Sequence, residues 1–184
     1  MAEPASAPPA ARYTATAVAL HWLLAVMLTV SFSVGWFMSD LPFSIERLKL
    51  FNWHKWAGIT ILALSLLRLL WRLTHRPPPA LPGPRWQLQA ARVGHGLMYA
   101  LFLAVPLAGW GYSSAAGFPV VLFGVLPLPD FVAPDRALAA TLKSLHGTLA
   151  WTLAAVVALH VAAALKHHFI DRDGVLLRMR PGRP

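Results

Sequence analysis

SLHGTLAWTLAAVVALHVAAAL, from Ser144 to Leu165, is a run of 22 uncharged residues bounded by Lys143 and Lys166. At about 1.5 Å per residue, a helix of this length is about 33 Å long, the thickness of a bilayer's hydrocarbon core. It is apolar all round, as a membrane span is and a surface helix is not. The run also carries His146 and His160, 14 residues apart. At ~100° per residue they fall about 40° short of four full turns, with a rise of roughly 21 Å. Both imidazoles therefore leave the same helix face at opposite depths. Ionisable side chains are expensive inside a membrane and usually functional there.

Working outward, the rest of the chain repeats the pattern. It has 184 residues, 57% hydrophobic and 12% charged, with a mean hydropathy of +0.56. This composition excludes a disordered chain, a coiled coil and an ordinary soluble domain. Residues 13–39 carry no charge, and the first span is expected at about 14–37. The stretch before it lacks a basic segment and a small-residue cleavage site, so a retained helix is expected rather than a signal peptide. The second span is expected at about 52–71 and must accommodate Arg68. Residues 93–129 are too many for one span and contain Pro106, Gly117, Pro119, Pro127 and Pro129. They read as a third span at about 92–112, followed by an interfacial or re-entrant piece around 118–128 that caps the outer end. The fourth span, about 143–166, is the opening run. The expected fold is an all-α integral membrane protein, a four-helix transmembrane bundle over residues 13–170, with tails at 1–12 and 171–184. The length leaves no room for a further soluble catalytic domain.

The net charge of +9 would suggest nucleic acid in a soluble protein, but here it follows topology. Ten basic residues lie on the side of the termini: Arg12, Arg72, Arg76, Arg85, Arg92, Lys166, Arg172, Arg178, Arg180 and Arg183. Five lie opposite, Arg47, Lys49, Lys55, Arg136 and Lys143, nearly balanced by Asp40, Glu46, Asp130 and Asp135. The positive-inside rule then puts both termini and the Pro-rich 74–84 connector in the cytoplasm of a bacterial inner membrane. Tryptophans at 36, 53, 56 and 110 mark the outer interface, and those at 71 and 86 the inner one.

With no cysteine in the chain, disulfides, iron–sulfur clusters and covalent haem attachment are excluded, so metal chemistry rests on histidine. Depths measured from midpoints between flanking charges sort the intramembrane histidines. His54 and His146 lie about 6.5 and 8.5 residues outside the midplane, whereas His21 and His160 lie about 5 and 5.5 residues inside it. Each pair joins the fourth span to another helix, as bis-histidine haem iron requires. Gly58, Gly147 and the Ala-rich fourth span allow a flat ring to approach backbone. His95, about 7 residues inside, competes with His21 for the inner site; His21 is preferred, and His95 is expected as a propionate or quinone contact. Arg68 projects from the His54 face at inner depth, where it is expected, with Arg72, to meet a haem propionate or a quinone carbonyl. His167 is assigned to the inner water interface with His168, as a further propionate or quinone contact; His75 reads as a solvated residue there.

From about Tyr13 to Met179 the chain resembles the bacterial di-haem cytochrome b561 family. The resemblance rests on A-L-H21-W, W-H54-K-W-A-G, L-L-R68-L-L-W-R72 followed by a proline run, R-V-G-H95-G-L-M-Y, S-L-H146-G-T-L-A and L-H160-V-A-A-A-L-K-H167-H168-F. It implies two non-covalent b haems, ligated by His54 with His146 and by His21 with His160, and electron exchange with ubiquinone. The expected function is an electron relay across the inner membrane between a periplasmic one-electron donor, superoxide or a redox protein, and ubiquinone. That would make the chain a quinone-linked oxidoreductase. Superoxide, an anion, would be drawn to Lys49, Lys55 and Lys143. A haem-bearing anchor subunit that passes electrons from a separate dehydrogenase to quinone is the alternative. A haem-free metal or proton conductor is the third reading. Membrane lipid is the remaining partner, and nucleic acid is not one.

Overall fold

Residues 12–182 are described in the computed structural model of this chain. The expected N-terminal tail lies outside the described residues except for Arg12. Four long helices carry the fold: α1 (Ala15–Ser39), α2 (Ile45–Thr74), α3 (Arg85–Ala115) and α4 (Arg136–Lys166). All four are long and apolar enough to cross a membrane. Each contains its expected span to within a residue and, α1 apart, extends past it by several residues at one or both ends, because polar end turns are satisfied by water and caps. The Thr14 hydroxyl accepts from the Ala17 N–H, the Ser44 hydroxyl from Arg47 and the Asp135 carboxylate from Leu138. Pro106 lies inside α3, a placement that membrane helices tolerate where freed backbone groups find other partners.

The closest packing runs from α1 to α2, from α2 to α3 and from α3 to α4. Consequently α4 meets α1 and α2 chiefly through side chains: two imidazole pairs, and Trp151 edge-on to Phe32 and Trp36 at 5.0 and 6.1 Å. Leu24, Ile61 and Leu101 are buried between helices, while Leu159, Val26 and Leu70 stay exposed, as lipid-facing residues do.

Two connections do more than link helices. Residues 118–128 form a short antiparallel hairpin, β1 (Val121–Leu122) on β2 (Leu126–Pro127), at the expected cap. Its turn places Phe123 and Gly124 at φ 53° and 74°, the two positive values of a type I′ turn. After α4 the chain makes a π-helical turn, His167–Asp171, and a short 3₁₀ helix, Leu176–Met179. The described part of the C-terminal tail folds back onto the bundle: Trp22 Nε1 donates to the Met179 carbonyl at 2.8 Å, and an Arg178 guanidinium nitrogen donates to Pro79 at 2.7 Å.

Candidate functional site

His54 on α2 faces His146 on α4, with ring centres 6.0 Å apart and planes at 86°. Each ring is held from outside its own helix. His54 Nδ1 donates to the Ser31 carbonyl on α1 at 3.0 Å, and His146 Nδ1 donates to the Val105 carbonyl on α3 at 2.9 Å. Because a carbonyl only accepts, Nδ1 carries the proton in both rings, and each Nε2 keeps its lone pair. This is the tautomer of a metal-ligating histidine with its orienting partner. Glycine makes the approach feasible. A Cβ at Gly35 would lie 2.9 Å from the His54 ring, and one at Gly109 3.0 Å from His146. Gly58 and Gly147, expected to let a flat ring approach backbone, border open space: a Cβ there would meet nothing within 4 Å.

At the opposite depth, the His21 and His160 ring centres are 6.2 Å apart at 73°. His95 joins them, 5.4 Å from His160, with its Nδ1 donating to the Ala91 carbonyl one turn earlier at 2.6 Å. The structure thus gathers three histidines where depth had left two competing. Arg68 on α2 reaches the same end of the bundle. Its guanidinium is held by the Tyr99 hydroxyl at 3.3 Å and the Ala17 carbonyl at 3.4 Å. Arg72 stacks over the Tyr99 ring at 5.7 Å. Arg12, Arg68, Arg72 and Arg76 line one cleft with Trp71 and Tyr99 at this end.

The donor set fits an iron porphyrin with two axial imidazoles. Imidazole–metal bonds of about 2.0–2.1 Å, with roughly 1.1 Å from each nitrogen to its ring centre, put opposed centroids about 6.2–6.4 Å apart. The 6.2 Å pair meets that spacing, the 6.0 Å pair comes within about 0.2 Å of it, and the 5.4 Å of His95 to His160 falls well short. Both matching pairs bridge from α4 to the α1–α2 side, where the backbones do not pack closely.

Other expected contacts are engaged elsewhere. His167 Nδ1 lies 2.5 Å from Asp173 and 3.2 Å from Asp171, while Lys166 pairs with Asp171 at 2.6 Å. His75 stacks on Trp71 at 3.7 Å. Lys55, expected to attract an external anion, instead donates to the Phe118 and Pro119 carbonyls at 3.3 and 3.2 Å. The sequence reading missed Ser31, Val105, Gly35, Gly109 and Tyr99. Of these the glycines carried a signal, as small residues inside apolar spans, and Ser31 carried one as a polar residue there.

A family model described as prokaryotic cytochrome b561 matches residues 12–182. The chain belongs to this family. It is 37% identical to cytochrome b561 homolog 2 of Escherichia coli over 171 residues, 91% of this chain and 90% of that protein. Cytochrome b561 homolog 1 of the same organism is 33% identical over 177 residues, 94% and 98% of the two chains. A probable superoxide oxidase of Yersinia pestis is 33% identical over 172 residues, 92% and 96%. The chain is therefore a bacterial membrane protein of four spanning helices, a b-type haem protein suited to electron transfer.

Proposed function

We propose that this chain holds two b haems, one between His54 and His146 and one between His21 and His160, and relays single electrons from a periplasmic donor to ubiquinone on the cytoplasmic side. The observation that carries this reading is the pair of imidazole couples at two depths, each near the spacing at which two histidines would share one metal. Haem, when bound, supplies reversible one-electron exchange between Fe(III) and Fe(II). The protein supplies the rest. Nδ1 donation to Ser31 and Val105 fixes the outer rings and makes Nε2 a better donor atom. Arg68 and Arg72 place positive charge beside the inner histidines, where propionates and a quinone carbonyl are anionic or polar. The relay orientation puts both termini in the cytoplasm, from the excess of basic residues on that side.

Superoxide is the proposed donor, supported by the similarity to a probable superoxide oxidase. Two superoxide anions each lose one electron and become dioxygen, and ubiquinone takes those two electrons and two protons to become ubiquinol. No acid or base need be positioned at the outer end, and Lys49 and Lys143 draw the anion there. Proteoliposomes with ubiquinone in the bilayer test this: superoxide generated outside should yield ubiquinol at a rate that falls with added salt. No ubiquinol from a fully haem-loaded protein would overturn the donor assignment.

A further inference from the structure

Four arginines meet at the inner end of the bundle without an acid to pair them. Arg68 and Arg72 stand one turn apart on α2, Arg76 follows in the connector and Arg12 precedes α1; all four line one cleft with Trp71 and Tyr99. Like charges one turn apart on a helix repel. Among the described residues the ion pairs are those of Asp171 and Asp173 with Lys166 and His167, so no carboxylate answers the four guanidinium groups. What they touch is neutral. Arg68 donates to the Tyr99 hydroxyl and the Ala17 carbonyl, Arg12 donates to the Arg180 carbonyl at 3.0 Å, and Arg72 lies over the Tyr99 ring.

The cleft is held between helices at the level of the membrane surface. It lies between the start of α1, the end of α2 and Tyr99 on α3. Trp71 Nε1 donates to the Thr14 hydroxyl at 3.0 Å, tying α2 to α1 there, and His75 stacks on the same indole. Tryptophan and tyrosine are the side chains of a membrane–water interface. Leu70 and Leu73, on either side of Trp71 and Arg72 in α2, stay exposed, a surface for acyl chains. A guanidinium fork matches the oxygens of a phosphate, and a basic pocket between membrane helices takes the head group of an anionic lipid.

We propose that this cleft binds the phosphate of an anionic phospholipid, held chiefly by Arg12 and Arg76, since Arg68 and Arg72 are also offered to an inner haem propionate. The bound phosphate offsets the mutual repulsion of the guanidinium groups and joins α1, α2 and the connector. Which leaflet supplies the lipid rests on the cytoplasmic placement of the termini proposed above; the site itself does not.

Native mass spectrometry of the full-length, haem-loaded protein, offered phosphatidylglycerol and phosphatidylcholine with the same acyl chains, counts the lipid that stays bound. The parent should retain phosphatidylglycerol about tenfold or more over phosphatidylcholine. Arg12→Gln with Arg76→Gln should lower that retention about tenfold, and Arg12→Lys with Arg76→Lys should keep most of it. Arg85→Gln with Arg92→Gln removes two charges at the same end that do not line the cleft, and should leave retention unchanged. The Soret band reports that each variant is folded and loaded; if the first pair fails to load, Arg76→Gln alone should show a smaller fall. Equal retention of the two lipids by the parent would overturn the site. An equal loss in both glutamine pairs would reduce it to general surface charge and overturn it too. Displacement of phosphatidylglycerol by millimolar inorganic phosphate would overturn the lipid as the source of the phosphate.

Discussion

The outer and inner histidine groups use the same side chain in opposite ways. At the outer group two imidazoles face each other, each pinned through Nδ1 to a carbonyl of a helix other than its own and each backed by a glycine. The inner group has three imidazoles, and among the described residues the only inner Nδ1 bond to backbone is that of His95 to its own helix. Arginines and a tyrosine surround it instead. The outer group is fixed by packing, with one arrangement open to it. The inner one is shaped by charge and keeps a spare histidine. A site that meets a small external donor gains from rigidity, whereas a site that exchanges electrons with a larger, proton-taking partner gains from nearby donors and cations.

Removing ligands should break this comparison most severely. His54→Ala or His146→Ala is expected to lower bound haem from two per chain to about one, as iron loses half its axial set. Pyridine haemochrome assay against protein concentration reads this directly, and two haems retained in His146→Ala would end the outer assignment. The inner group offers the sharper contrast. His21→Ala should lose one haem and His95→Ala should keep both, because 6.2 Å suits an intervening metal and 5.4 Å does not. The reverse result would make His95 the ligand and His21 the spare.

The difference between the two groups also tracks what could be read in the sequence. The four spans and the two depths at which the histidines gather follow from charge-free runs and from the rise per residue, since helical geometry is regular. The outer supports do not follow. Ser31 contributes a backbone carbonyl to His54 from 23 positions away, and Val105 one to His146 from 41. Every residue owns such a carbonyl, so nothing in the identity of Val105 announces its bond; Ser31 adds a buried hydroxyl 3.3 Å from the same Nδ1, a polar group in an apolar span that its sequence does show. Gly58 and Gly147, read as room for a flat ring, border open space, whereas Gly35 and Gly109, which let the imidazoles approach, lie on neighbouring helices that only the folded chain brings there. The choice between His21 and His95 stayed open because depth is one coordinate and the two residues share it. The carbonyls that Lys55 meets were equally illegible, since they belong to a hairpin 63 and 64 residues later.

Smaller changes should tell apart the packed and the charged designs. Gly35→Ala or Gly109→Ala forces a methyl to about 3 Å from an imidazole that cannot retreat without losing its carbonyl. A cost of about 1–3 kcal/mol is expected, seen as a lower midpoint for thermal loss of the Soret band. Unchanged midpoints in both variants would mean that the outer rings are not held as tightly as their hydrogen bonds indicate. At the inner end Arg68→Gln should leave thermal stability of the outer haem unchanged and slow quinone reduction about tenfold, through loss of a cation at the acceptor. Unchanged quinone reduction would remove Arg68 from that role.

The smallest effect belongs to the tail that closes the inner end. Partial burial pushes the Asp173 carboxyl up, but the Val175 N–H and His167 outweigh it and hold the group below its ordinary value. A carboxyl depressed in the folded state contributes stability above its unfolded pKa of about 4, and that contribution disappears as pH falls through the lower folded value. Docking of the 3₁₀ helix through Met179 to Trp22, and of Arg178 to Pro79, should therefore hold near neutrality and loosen only below about pH 4. Asp173→Asn should abolish that acid-dependent step and leave docking slightly weaker at neutral pH. Hydrogen exchange of residues 176–180 across pH, corrected for the intrinsic rate, reads both effects. The outer pair has no titratable partner of this kind and should keep its exchange protection over the same range, so a matching acid step in the peptides around Ser31 and Val105 would count against treating the two ends as separately held.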